Sequence, residues 1–98
     1  MLADHLSYTE LAQVHGFVFA AGLRQGYGYT QWSEDSGATN FEAAIQVSGV
    51  PADYQTPGFC LGPAGQWFCA LTQSGQVRIY RSETHCATGG WQLYQTVE

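Results

Sequence analysis

The chain contains no lysine, and its only strong cations are Arg24, Arg78 and Arg81. Binding a nucleic acid means neutralising a row of phosphates with a basic stripe, so nucleic acid is excluded as a partner. Without lysine there is also no Schiff-base chemistry and no phosphate-loop lysine. Charge of either sign is scarce. Only 11% of residues are charged, against roughly 25% in ordinary soluble domains. The acids Asp4, Glu10, Glu34, Asp35, Glu42, Asp53, Glu83 and Glu98 bring the net charge to −5, but they are scattered and form no dense acidic face. Little charge repulsion opposes self-association of so neutral a surface, which favours a homo-oligomer.

Long hydrophobic runs are missing too. The longest, "FVFAAGL" at 17–23, is far short of the roughly 20 residues that span a bilayer. "MLADHLSYTEL" lacks the basic and then apolar order of a secretory leader. The three cysteines, Cys60, Cys69 and Cys86, cannot all pair within one chain, as expected in a reducing compartment. Together these features predict a soluble cytoplasmic protein with no membrane association.

Ninety-eight residues suit one domain, 1–98, with a modest core. In "LSYTEL", Ser7 and Glu10 have the spacing of a capping box and Leu6 can staple onto Leu11. Leu11, Val14, Val18 and Ala21 then recur at helical spacing, and Gly26 stands where a helix C-terminus wants glycine. The pattern predicts an N-terminal helix; the alternative ends it at Gly16 and makes "FVFAA" a strand. Residues 25–40 read as a long loop or a short irregular strand. Alternation predicts a strand from Phe41 to Ser48, and further strands near 58–62, 66–72, 76–82 and 91–97. The expected fold is α+β, with one N-terminal helix packed on an antiparallel β-meander of four to five strands. Its expected core is Leu11, Val14, Val18, Phe41, Ile45, Val47, Trp67, Cys69, Leu71, Val77, Ile79, Trp91, Leu93 and Val97.

Loop parity sets the expected faces. A three-residue loop at Pro63-Ala64-Gly65 pairs Leu61 with Trp67 and Phe59 with Cys69, which sends Cys60 to the opposite face beside Phe68. Cys60 and Cys69 can then neither bond nor share a metal. A three-residue loop at Gln73-Ser74-Gly75 faces Leu71 with Val77, Cys69 with Ile79 and Phe68 with Tyr80.

Chemistry-bearing motifs are few. His5, His15 and His85 with the three cysteines are metal-ligating types, but no pair has ligand spacing, so no metal is expected. His85-Cys86 are neighbours whose side chains point apart on an extended chain. There is no G-x-S-x-G, and "GYGYTQ" at 26–31 has Gln31 where a dinucleotide loop needs its third glycine. No cofactor is expected.

Two constellations remain. Phe68, Arg78, Tyr80 and Tyr94 alternate with the expected core and predict an aromatic and arginine patch on the outer sheet face, the composition of an interface core; the competing reading folds the 25–40 loop over it. Tyr27, Tyr29 and Trp32, with Glu34 and Asp35 at the rim, suit a cationic or polyhydroxylated ligand; the competing and favoured reading is a satellite hydrophobic cluster under a long loop. The first predicts a non-enzymatic interaction module, self-associating as a homodimer. The second predicts a small-molecule-binding protein or enzyme.

"GQVRIYR" followed by "GGWQLYQ" resembles the inner strands of a β-propeller blade, but that unit occurs once here and a propeller needs several. A helix followed by an antiparallel sheet is similar to the cystatin and NTF2-like arrangement. Against the Gln-x-Val-x-Gly loop of cystatins, "QVSG" at 46–49 places Ser48 where valine belongs and Val50 where glycine belongs, so no functional residue is carried over from either family. Short chains of this kind are also common among accessory proteins of mobile elements, and no motif here marks that origin.

Overall fold

In a computed structural model of the chain, residues 7–14, 17–33, 42, 44–53, 57–62, 65–84, 87 and 89–97 are described. Eight antiparallel strands run through them: β1 (Ser7–Val14), β2 (Phe17–Arg24), β3 (Tyr27–Ser33), β4 (Ile45–Gln46), β5 (Gly58–Leu61), β6 (Trp67–Gln73), β7 (Gln76–Ser82) and β8 (Gln92–Val97). They form two four-stranded meanders, β1-β2-β3-β4 and β5-β6-β7-β8. No helix occurs among the described residues, so the expected α+β architecture is corrected to two packed sheets.

The N-terminal correction has a physical cause. Phe19 and Ala21 of β2 are buried against the second sheet, with Leu23 buried on the same face, yet Ala20 and Gly22 on the other face of the same strand are buried as well. A strand covered on both sides reads as a continuous apolar run, in which the period of two disappears and a helical spacing can be found. Gly16 falls between β1 and β2, and Gly26, expected to end a helix, closes a hairpin instead. Gln25 (φ 53°) and Gly26 (φ 85°) both adopt the left-handed conformation, so Arg24 pairs with Tyr27 across a tight two-residue turn.

The core lies between the sheets in two adjoining clusters. Ala21 and Val47 meet Cys69, Leu71 and Tyr80 in one; Phe19 meets Trp67 in the other, with Trp32, Phe59 and Leu61 at its margin; Trp91 touches both. Phe19 stacks on Phe59, with ring centroids 4.1 Å apart, and on Trp67, at 4.9 Å, while Phe59 and Trp67 meet each other at 5.6 Å, closing a three-ring cluster. Leu71 lies over Gly28 so closely that a Cβ there would sit 2.7 Å from its Cδ1, which is why β3 carries glycine at the point of closest approach. The segment after β4 straps the layers together. Ala52 N–H donates to the Gly26 carbonyl at 2.7 Å, and Asp53 N–H to the Thr72 carbonyl of the second sheet at 2.7 Å.

The β5–β6 register is the expected one, with Phe59 opposite Cys69, Cys60 opposite Phe68 and Leu61 opposite Trp67. The β6–β7 register is not. Ser74 (φ 53°) and Gly75 (φ 78°) form a two-residue turn, so Gln73 faces Gln76, Cys69 faces Tyr80 and Phe68 faces Arg81. A one-residue slip exchanges the faces of a whole strand. Tyr80 therefore points into the core at 6% exposure, while Val77 and Ile79, expected inside, face outward with Ala70 and Phe68. Leu93 and Val97, also expected in the core, are exposed on the edge strand. The side chains of Leu11 and Val14, and all of Phe41, lie outside the described residues.

Candidate functional site

The exchange of faces leaves an apolar surface on the outside of the second sheet. Phe68 and Ala70 of β6 lie beside Ile79 of β7, with Gly58 and Cys60 of β5 on one flank and Tyr94 of β8 on the other. These residues, with Phe59, line an open groove of about 320 Å³. A β-bulge in the β7–β8 ladder, between Ile79 and Tyr80, falls opposite Tyr94. Bulges of this kind re-aim a side chain at a sheet edge, and Tyr94 meets Phe68 edge to face at 5.6 Å. The Arg81 guanidinium lies over the Tyr94 ring, 4.9 Å from its centroid. An arginine stacked on an aromatic keeps its charge at the rim while its stem extends the apolar surface.

The four residues expected at an interface therefore divide between two faces. Phe68 and Tyr94 come together on the outer face. Tyr80 and Arg78 belong to the inner one, where Tyr80 donates its hydroxyl to Gln73 Oε1 at 2.6 Å and Arg78 Nη2 donates to Gln76 Oε1 at 3.4 Å. The arginine of the outer patch is Arg81. Ile79 and Cys60 join the site, and a two-residue register at Ser74-Gly75 was the signal that would have found Ile79.

The expected ligand-binding aromatics divide in the same way. Trp32 turns inward against the Phe19 and Trp67 cluster. Tyr27 and Tyr29 occupy the opposite face of β3, where the Arg24 guanidinium sits 4.9 Å from the Tyr29 ring centroid and the Tyr29 hydroxyl donates to Gln46 Oε1 at 3.3 Å. The face of Tyr29 that a cationic ligand would seek thus holds a cation from the same chain. Glu34 and Asp35 lie outside the described residues, as do His5, His15, His85 and Cys86.

A second, smaller cleft of about 170 Å³ is polar, formed by Arg81 to Thr84, Gly89, Gly90 and Gln92. Thr84 organises it: its Oγ1 accepts from Gly89 N–H at 2.7 Å and lies 3.0 Å from Ser82 Oγ. Among the described residues no group of three or more His, Cys, Asp or Glu side chains converges to hold a metal ion, and no helix is long and apolar enough to cross a membrane. Cys60 is exposed and Cys69 buried, on opposite faces of their sheet, and neither forms a disulfide among the described residues. Comparison with protein-family models, with curated proteins and with solved structures finds no match to this chain.

Proposed function

We propose that the protein is a non-enzymatic interaction module that self-associates through the outer face of its second sheet. The observation that carries this reading is the groove among Cys60, Phe68, Ala70, Ile79 and Tyr94, on a sheet face that ordinary amphipathic alternation would make polar. Apolar surface in contact with water is costly, and a second copy brings a matching face with no like charges among the groove residues. With strands about 4.8 Å apart and about 3.4 Å per residue, the face projects to about 20 Å by 20 Å, at the low end of specific interfaces, so association is concentration-dependent. The odd cysteine count supports a reducing, cytoplasmic setting for this assembly.

Light scattering on a sizing column tests the reading. Phe68→Asp places a charge at the centre of the face, on a side chain that is already partly exposed. It is expected to at least halve the particle mass of the unsubstituted chain while the circular dichroism spectrum is retained. An unchanged mass in the folded variant rejects this face.

A further inference from the structure

The four outer edges of the two sheets are unequal. β4 is two residues long, β5 is four residues long and follows Pro57, and β1 carries Glu10 and a break in register between Ser7 and Glu10. Short length, proline, charge and irregularity are the devices by which proteins keep sheet edges from pairing with other chains. β8 has few of them. Its sequence "QLYQTV" holds no charged residue, no proline and no glycine, and it combines strong strand formers with zero net charge, the pattern of segments that pair with copies of themselves. Its one irregularity is the bulge opposite Tyr94, which leaves Gln95–Val97 in regular pairing with β7.

β8 lies at the end of its sheet, with β7 on one side and no described strand on the other. An edge strand presents a row of backbone N–H and C=O groups away from its neighbour. The most exposed large apolar side chains among the described residues flank that row: Leu93 at 56%, Tyr94 at 53% and Val97 at 43%. The strand is also held rigidly at its start, because Trp91 packs between the sheets and donates its indole N–H to Thr30 Oγ1 at 3.1 Å. A preorganised edge loses little freedom on pairing.

We infer that β8 is a second self-association surface, pairing antiparallel with β8 of another copy across a two-fold axis to join two four-stranded sheets into one of eight. The occupant is a second copy because an uncharged strand meets its own image with no like charges opposed, and a two-fold axis satisfies both backbones equally. The edge meets the outer face at Tyr94 and runs perpendicular to it, so face and edge together carry assembly beyond a dimer.

The test uses the Phe68→Asp chain, in which the face is disabled, and reads mass by light scattering together with amide exchange of the peptide covering 92–97, at low and high protein concentration. The expected result is a dimer at high concentration whose 92–97 amides exchange more slowly than at low concentration. Adding Gln95→Lys and Val97→Lys, the charges that protected edges carry, is expected to give a folded monomer with concentration-independent exchange. If Phe68→Asp is monomeric at every concentration while the unsubstituted chain associates, the edge proposal falls and the face reading stands. If Phe68→Asp leaves the mass unchanged and the two lysines dissolve the assembly, the edge stands and the face reading falls. A monomeric unsubstituted chain overturns both.

Discussion

The hydroxyl of Tyr80 donates to Oε1 of Gln73 at 2.6 Å, and the same Gln73 amide donates from Nε2 to the Val50 carbonyl at 2.9 Å. Gln73 is fully buried and Tyr80 nearly so. A buried amide must find partners at both ends, and here one end is supplied by β7 and the other by the strap between the sheets. The pair therefore ties the β6–β7 register to the docking of one layer on the other. Removing the hydroxyl with Tyr80→Phe strands Gln73 Oε1, at a cost of about 1–3 kcal/mol. Chemical denaturation of a dilute sample, with an unchanged slope and a lower midpoint, is the expected result; a midpoint within error of the unsubstituted chain would show that Oε1 finds another donor.

Gly28 and Leu71 form the second such contact. Gly28→Ala drives a methyl to 2.7 Å from Leu71 Cδ1 and 2.9 Å from Cδ2, overpacking expected to cost about 1–3 kcal/mol. Leu71→Ala alone leaves a cavity worth about 2–5 kcal/mol. Because the clash needs the leucine, the double variant is expected to lose less stability than the two single losses added together. Additive losses in the cycle would place the strain elsewhere.

How much of this was legible in the sequence depended on which faces were covered. β5 and β6 read correctly because Phe59, Leu61, Trp67, Cys69 and Leu71 alternate with smaller or less buried residues, leaving period two visible. β2 did not, since Ala20 and Gly22 are buried beside Phe19, Ala21 and Leu23, and helix-forming alanines filled a strand through tertiary burial on both sides. β7 misled for the opposite reason. Val77 and Ile79 are its aliphatic residues, and assigning them to the core required the wrong loop length at Ser74-Gly75. The error concealed the site, because apolar side chains used at a surface carry the same sequence signal as a core.

The turn offers a direct check on that register. A two-residue turn of this type needs positive φ at both positions, and Gly75 sits at +78° with nothing within 4 Å of where a Cβ would be. Gly75→Ala is therefore a conformational cost alone, about 1–2 kcal/mol for an L-residue forced into the left-handed region. Gly49→Ala, with nothing within 4 Å of the added methyl, is the control and is expected to change stability by less than about 0.5 kcal/mol. Equal effects at the two glycines would argue against the left-handed turn.

Cys60 reports on the groove without perturbing it. Its side chain is exposed and lines the apolar surface, whereas Cys69, opposite Phe59 on the inner face, is 1% exposed. A thiol reagent applied to a Cys86→Ser chain should therefore modify Cys60 in the native state and Cys69 only on unfolding, since burial withholds the thiol from solvent. If the outer face is where copies meet, Cys60 is covered in the assembly, and its labelling is expected to slow as protein concentration rises. In the Phe68→Asp background, where pairing through the β8 edge leaves the groove open, the labelling rate should no longer depend on concentration. Slowing that persists in Phe68→Asp would mean that copies cover the groove without using Phe68. Labelling of the unsubstituted groove at one rate across all concentrations, in samples that associate, would assign the assembly to the edge alone.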